Sequence, residues 1–215
     1  DHKRAYEKDK GPNTGGMGAY SPAPIVTKSL EKKIISRIVM PTLNALKKRK
    51  YPYNGFLYVG LMIKDNEPYL IEYNIRMGDP ECQVILPLLK TDIVKIFKNA
   101  ISNKLKNMKI EWLKKKCMTI VLCAKGYPGN YRKNLKINNI DKVKITNNDF
   151  LFHAGSKKIN NKIVSTGGRI LNFVSTGQSY IKIRKKIISN IKKIKLKNSF
   201  FRNDIGWKIV KNENN

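Results

Sequence analysis

Three side chains at alternate positions, Glu72, Asn74 and Arg76, stand inside the run Y-L-I-E-Y-N-I-R-M-G-D-P-E at residues 69–81. Aromatic and branched residues fill the rest of the run, so it reads as a β-strand leading into a turn. Strand side chains alternate between faces. That places Glu72, Asn74 and Arg76 on one face, Leu70 continuing the row, with Ile71, Tyr73 and Ile75 opposite. A carboxylate and an amide carbonyl are hard oxygen donors of the kind Mg²⁺ accepts, and one or two protein ligands suffice where phosphate oxygens complete the shell. Asn74 adds an oxygen without a second charge, and the guanidinium of Arg76 suits two-point contact with phosphoryl or carboxylate oxygens. Spacing alone leaves another reading open, a surface strand carrying a Glu–Arg ion pair.

Two further stretches carry polar chemistry. G-P-N-T-G-G-M-G at residues 11–18 is dense in glycine. Such backbone exposes N–H groups and tolerates positive φ, so it can wrap an anion, with Lys3 and Arg4 upstream adding positive charge. It lacks the G-K-[ST] of a phosphate-binding P-loop and the preceding strand of a dinucleotide fingerprint; a flexible surface loop is the alternative. In G-D-P-E at residues 78–81, Pro80 keeps Asp79 out of helical conformation and stiffens the exit from the strand. That would aim Asp79 at an amine or a metal, or make an ordinary turn, with Glu81 following. His153-Ala154-Gly155 and Gly167-Gly168-Arg169 read as structural punctuation.

The elements that must position these residues follow from periodicity and breakers. Residues 1–24 read as loop. Thr27 caps a helix from about Lys28 to Lys50 that Pro41 should kink or split. The segments Asn54–Ile63 and Tyr69–Arg76, joined by Lys64-Asp65-Asn66-Glu67, form a β-hairpin. A short apolar piece interrupted by Pro87 leads to a helix capped by Thr91 and running to about Leu105. Strands are expected at Cys117–Ala124, Phe150–Ser156, Lys162–Ser165 and Arg169–Val174. A final helix, about Ser179 to Lys195, carries an isoleucine stripe at Ile183, Ile187, Ile191 and Ile194 that reads as a core face. The expected fold class is α+β, an antiparallel sheet with flanking helices followed by a small α+β domain.

Composition narrows the classes further. The net charge is +29, from 44 Lys+Arg against 15 Asp+Glu. The lysines are dispersed, with no aromatics interleaved among them as a stacking platform, and Lys, Ile and Asn are over-used throughout. Compositional drift therefore accounts for the charge better than a nucleic-acid surface does. Three cysteines, Cys82, Cys117 and Cys123, form no C-x-x-C pair, which argues against a disulfide framework or zinc site and fits a reducing cytosol. No apolar run is long enough for a membrane span. The chain starts at Asp1 without methionine, as expected of a fragment or a processed chain.

The motifs in order are D-H-K-R, G-P-N-T-G-G-M-G-A-Y-S-P-A-P, G-F-L-Y-V-G-L-M-I, I-E-Y-N-I-R-M-G-D-P-E-C-Q, G-Y-P-G-N-Y, F-H-A-G, T-G-G-R-I-L and F-F-R-N-D-I-G-W. With them the chain resembles the phosphoribosylamine–glycine ligase (glycinamide ribonucleotide synthetase) family of the ATP-grasp superfamily, over nearly its whole length. Met77 departs from the family signature, which usually has Leu or Phe there. The resemblance implies that residues 1–105 are the later portion of the ATP-grasp module and residues 106–215 the small C-terminal domain. It implies ATP as substrate and Mg²⁺ or Mn²⁺ held by Glu72 and Asn74. Glycine and 5-phosphoribosylamine would be the other substrates, joined through a glycyl phosphate. Arg76 and Asp79 would be catalytic, and Lys3, Arg4, Asn13, Thr14, Gly15, Gly16, Met17 and Gly18 would lie on the substrate side. A cytoplasmic monomer with no membrane and no specific nucleic acid is expected, as is inactivity of these residues alone. The rival readings are another ATP-grasp carboxylate–amine ligase and a basic nucleic-acid-binding module.

Overall fold

The computed structural model describes residues 1–213. From the N-terminus, β1 (Arg4–Tyr6) and β2 (Lys10–Asn13) pair as a short antiparallel hairpin, and β3 (Gly18–Ser21) follows, so strands stand where the sequence suggested loop. These strands are three or four residues long and carry no apolar alternation, which is why periodicity did not reveal them.

Helix α1 (Lys28–Ile34) begins at the expected cap: Thr27 Oγ1 accepts the Leu30 N–H at 3.2 Å. It widens into a π-helical turn at Ile35–Val39 and resumes as α2 (Met40–Lys48). Pro41 has no N–H to donate and its ring crowds the carbonyl four residues back, so a wider turn just ahead of it relieves both problems without ending the helix. The hairpin expected next is β4 (Tyr58–Lys64) with β5 (Glu67–Asn74). Its turn residues Asp65 and Asn66 have φ of 51° and 59°, the left-handed pair that a tight two-residue hairpin turn requires. Then come α3 (Cys82–Ile85), which tightens into a 3₁₀ turn at Leu86–Leu88, and α4 (Ile93–Ile101). The cap of α4 is Asp92, not Thr91. Its carboxylate accepts the Val94 and Lys95 N–H groups at 2.7 and 3.2 Å, while Thr91 Oγ1 accepts the Glu111 N–H.

The remaining elements are β6 (Lys116–Ala124), β7 (Asp149–His153), β8 (Ser156–Ile159), β9 (Lys162–Ser165), β10 (Arg169–Gly177), α5 (Tyr180–Ile191), β11 (Ser199–Phe200) and α6 (Trp207–Glu213). β6 is the sheet's central strand. β10 pairs along one edge of it, β3 and β11 share the other edge at opposite ends, and β7 flanks β10, all antiparallel. Every residue of β6 from Cys117 to Ala124 is buried, as expected of a strand paired on both sides and covered by helix. Ile183, Ile187 and Ile191 of α5 lie in that core, so the isoleucine stripe is a core face. Val84 and Leu88 pack with Ala19, Cys117 and Val174 in a smaller cluster.

The chain divides into two compact units. The first comprises Asp1–Pro22, Asp79–Leu88 and everything from Leu113 onward; the second comprises Ala23–Gly78 and Leu89–Trp112. The division is not a single cut along the sequence. One crossing falls at Trp112–Leu113, and the others arise because β3 hydrogen-bonds to β6 and α3 packs beside it. Among the described residues, no helix is long and apolar enough to cross a membrane.

Candidate functional site

Within the second unit, β5 carries the oxygen donors. Glu72 lies opposite Gly60 and Asn74 opposite Tyr58, two steps along the same partner strand, so the two side chains share a face. A Cβ on Gly60 would sit 2.8 Å from Glu72 Cγ, so the absence of a side chain at Gly60 is what lets Glu72 lie across the ribbon. Leu70 does not continue this row. It pairs with Leu61, and the register slips by one between Gly60 and Leu61, leaving Ile71 as the extra residue of a bulge; Leu70 therefore faces away from Glu72. Arg76 also leaves the row, because β5 ends at Asn74 and Arg76 stands in the bend beyond, where its Nη1 donates to Met77 O at 2.9 Å. Among the described residues, neither the Glu72 carboxylate nor the Asn74 amide has a hydrogen bond or ion pair. Two hard oxygen donors side by side, exposed or half-exposed and without protein partners, fit a magnesium or manganese ion that takes its other ligands from phosphate and water.

Within the first unit, the glycine-rich loop is built differently from an open ring of amide donors. The Thr14 N–H donates to Lys3 O, the Gly15 N–H to Tyr127 Oη, the Gly16 N–H to Thr14 Oγ1 and the Met17 N–H to His2 O, all between 2.8 and 3.0 Å. The amides of 14–17 are thus engaged, and the glycines serve close approach instead. Gly16 has φ +123°, and a Cβ there would lie 2.4 Å from Pro80 Cδ; at Gly15 it would lie 2.9 Å from Arg169 Cζ. Met17 and Gly18 are buried, Met17 in the main core beside Cys123. Lys3 pairs with Asp1 at 2.7 Å, and Arg4 Nη1 donates to Gly11 O at 2.8 Å, bracing the β1–β2 hairpin. Asn13 and Gly15 remain exposed and Thr14 half-buried. His2 anchors the loop through both backbone groups, and its Nε2 accepts the Gly206 N–H at 3.1 Å. Burial, helped by neighbouring positive charge, pushes this imidazole down to about 4, so it is neutral at ordinary pH.

Asp79 is held from two sides. Its Oδ1 accepts from Gln83 Nε2 at 2.8 Å and its Oδ2 from Arg169 Nη2 at 2.8 Å, while its carbonyl accepts from Arg169 Nη1 at 2.7 Å. The same Nη1 also donates to Gly15 O at 3.1 Å. Arg169 and Tyr127 were not among the sequence-derived candidates. Gly167-Gly168-Arg169 reads locally as punctuation and Tyr127 stands in a glycine- and proline-containing stretch, K-G-Y-P-G; only pairing of Arg169 with Cys123 across β10 and β6 brings them to one end of the sheet. His153, in the other punctuation, bonds through Nδ1 with Ser156 Oγ at 2.7 Å.

Comparison with known proteins covers both halves of the chain. Residues 1–82 match the family model described as Phosphoribosylglycinamide synthetase, ATP-grasp (A) domain, and residues 117–208 match the C domain of the same synthetase. A phosphoribosylamine–glycine ligase of Caldanaerobacter subterraneus is 43% identical over 205 residues, 95% of this chain and 48% of that protein. The trifunctional purine biosynthetic protein adenosine-3 of Gallus gallus is 40% identical over 98% of this chain and 21% of its own length. The crystal structure of the Thermotoga maritima phosphoribosylamine–glycine ligase superposes with a TM-score of 0.77 at 34% identity, covering 95% of this chain and 50% of that one. The chain therefore spans about half the length of its bacterial relatives. With two successive domains of one synthetase matched in order along it, the chain belongs to the phosphoribosylglycinamide synthetase family.

Proposed function

We propose that these residues supply the metal-bearing strand and the small C-terminal domain of an ATP-dependent ligase that joins glycine to 5-phosphoribosylamine, and that they act as part of a longer chain. The relatives' names support the reaction, and their doubled length supports the longer chain. In this reading the ATP γ-phosphoryl group passes to the glycine carboxylate, giving ADP and glycyl phosphate. The amine of phosphoribosylamine then attacks the acyl carbon and phosphate leaves, giving glycinamide ribonucleotide. Such chemistry needs positioning and charge neutralisation and no covalent nucleophile. Glu72 and Asn74 would hold Mg²⁺ or Mn²⁺, which supplies the charge that neutralises the ATP phosphates. Arg76, exposed in the bend after β5, would meet the transferring phosphoryl group or the glycine carboxylate. Asp79, Lys3, Arg4, Asn13, Thr14 and Gly15 would line the substrate side, with Gly16, Met17 and Gly18 holding that loop in shape. The protein would work as a cytoplasmic monomer with neither nucleic acid nor membrane as partner.

The observation that carries this reading is the pair of unpartnered oxygen donors on one face of β5, with Gly60 beneath the carboxylate. The test is ADP formation by the full-length protein in the presence of glycine, phosphoribosylamine and Mg²⁺. Glu72→Ala and Asn74→Ala are expected to abolish metal-dependent turnover while leaving thermal unfolding unchanged. Full activity in both variants would refute the ligand assignment, and ADP formation driven by a different carboxylate would replace glycine as the substrate.

A further inference from the structure

We propose that Tyr127 and Arg169 are positioning residues that clasp the glycine-rich loop from the C-terminal domain and fasten it to Asp79, setting the substrate-side geometry. This rests on the ligase reading above. Gly15 is gripped at both of its polar atoms: its N–H donates to Tyr127 Oη at 3.0 Å, and its carbonyl accepts from Arg169 Nη1 at 3.1 Å. The same guanidinium nitrogen reaches Asp79 O, and Nη2 reaches the Asp79 carboxylate, so one planar group joins two segments 64 residues apart (from Gly15 to Asp79). A lysine ammonium has no such fork.

The clasp is mounted on rigid structure. Arg169 opens β10 and pairs with Cys123 near the end of β6, while Tyr127 stands in the turn that leaves β6. Tyr127 is braced edge-on by Tyr131 with ring centroids 6.3 Å apart, and its N–H donates to Ala124 O at 3.1 Å. Its ring lies over Gly168, where a Cβ would fall 2.2 Å from Cδ2. Gly15 and Gly168 are thus both needed to let the two side chains reach the loop.

Stability is a poor explanation for such a construction. Asp79's side chain is 47% exposed, and ion pairs at exposed sites contribute about 0–1 kcal/mol. What the clasp does supply is orientation. It fixes the Gly15 peptide plane and the Asp79 carboxylate relative to each other on sheet ends, the kind of support on which near-attack geometry depends.

The experiment uses the full-length protein with Tyr127→Phe and Arg169→Lys, each conserving bulk or charge. Losing the hydroxyl is expected to raise KM for phosphoribosylamine about tenfold, one hydrogen bond's worth, with KM for ATP unchanged. Arg169→Lys is expected to lower kcat/KM for the amine about a hundredfold, the scale of a small misplacement of reacting groups. In parallel, hydrogen–deuterium exchange is expected to speed up at residues 14–17 in both variants, with the β6 and β10 peptides unchanged. Wild-type kinetics for the amine, or unchanged exchange at 14–17, would overturn the proposal. So would a parallel rise in KM for ATP with a lowered melting temperature, which marks general loosening. If the wild-type protein shows no glycine-dependent ADP formation, the ligase reading fails by itself, and the exchange measurement still decides whether the clasp exists.

Discussion

Replacing Arg202 by methionine keeps most of the side chain's length and removes the guanidinium from the best-buried charged site in the first unit. Arg202 is 1% exposed. Its Nε and Nη2 bind both oxygens of Asp204 at 2.8 and 2.9 Å, Nη2 also reaches Asp9 Oδ1 at 2.9 Å, and Nη1 donates to Arg4 O at 3.0 Å. One side chain thereby ties β1 and the turn after it to the F-F-R-N-D segment near the C-terminus. Removing one partner of a buried pair typically costs 3–5 kcal/mol because the other charge is left uncompensated. Here the lower end applies. Asp9 is 43% exposed and rehydrates, and Asp204, 18% exposed, keeps the Lys8 N–H on Oδ2 at 2.8 Å. The expected loss is about 3 kcal/mol, and with a urea dependence of roughly 2–3 kcal/mol per molar the midpoint falls by about 1 M or more. Trp207 fluorescence in a Trp112→Phe background follows the first unit specifically, since Trp112 belongs to the second. Arg202→Lys should recover less than half of the loss, because an ammonium cannot span both Asp204 oxygens. Asp204→Asn should cost less in the Arg202→Met background than in the wild type. An Arg202→Met midpoint within about 0.2 M of wild type, well inside the shift expected from that urea dependence, would refute the reasoning.

Two other outcomes follow from the same unit. Burial alone would raise the Glu213 carboxyl. Hydrogen bonds from Lys116, the Tyr180 and Ile181 N–H groups and Ser179 outweigh it and hold the group at about 2, against an ordinary 4.5. A carboxylate depressed on folding stabilises above its unfolded value, and that contribution disappears as pH falls from 4.5 towards about 2. Glu213→Gln should therefore lower the melting temperature at pH 7 and flatten its decline between those values; parallel curves for the two proteins would contradict this. Gly16→Ala forces a Cβ to within 2.4 Å of Pro80 Cδ at φ +123°, so a loss of about 1–3 kcal/mol is expected in denaturant unfolding, with faster exchange at residues 14–17. An unchanged midpoint would mean that the loop and the Pro80 turn separate freely.

Much of the second unit was legible in local sequence. Thr27 caps its helix, Asp65-Asn66 turns its hairpin, and Glu72 and Asn74 share a face because strand alternation operates over two residues. The isoleucine stripe of α5 likewise reports a core face through helical spacing alone. The misreadings have physical causes of the same range. The bulge at Ile71, which turns Leu70 away from Glu72, is a property of pairing with β4 and leaves no mark on β5 itself. Thr91 and Asp92 are both acceptable caps, and the choice fell to Asp92 once Glu111 occupied the Thr91 hydroxyl.

By itself, the sequence determined the chemistry on offer: oxygen donors at alternate positions, a loop too rich in glycine to be ordinary, an α+β pattern and an ordered set of motifs that names the family. Tertiary structure alone decided how the glycine loop is held. Its amides are engaged by His2, Lys3, Thr14 and Tyr127, and its shape is set by Pro80 and Arg169. Arg169 stands 90 residues from Asp79 and 154 from Gly15, distances at which no periodicity carries information. Only the antiparallel pairing of β6 with β10 carries Arg169 to the sheet end where Tyr127 stands and the glycine loop and Asp79 meet it.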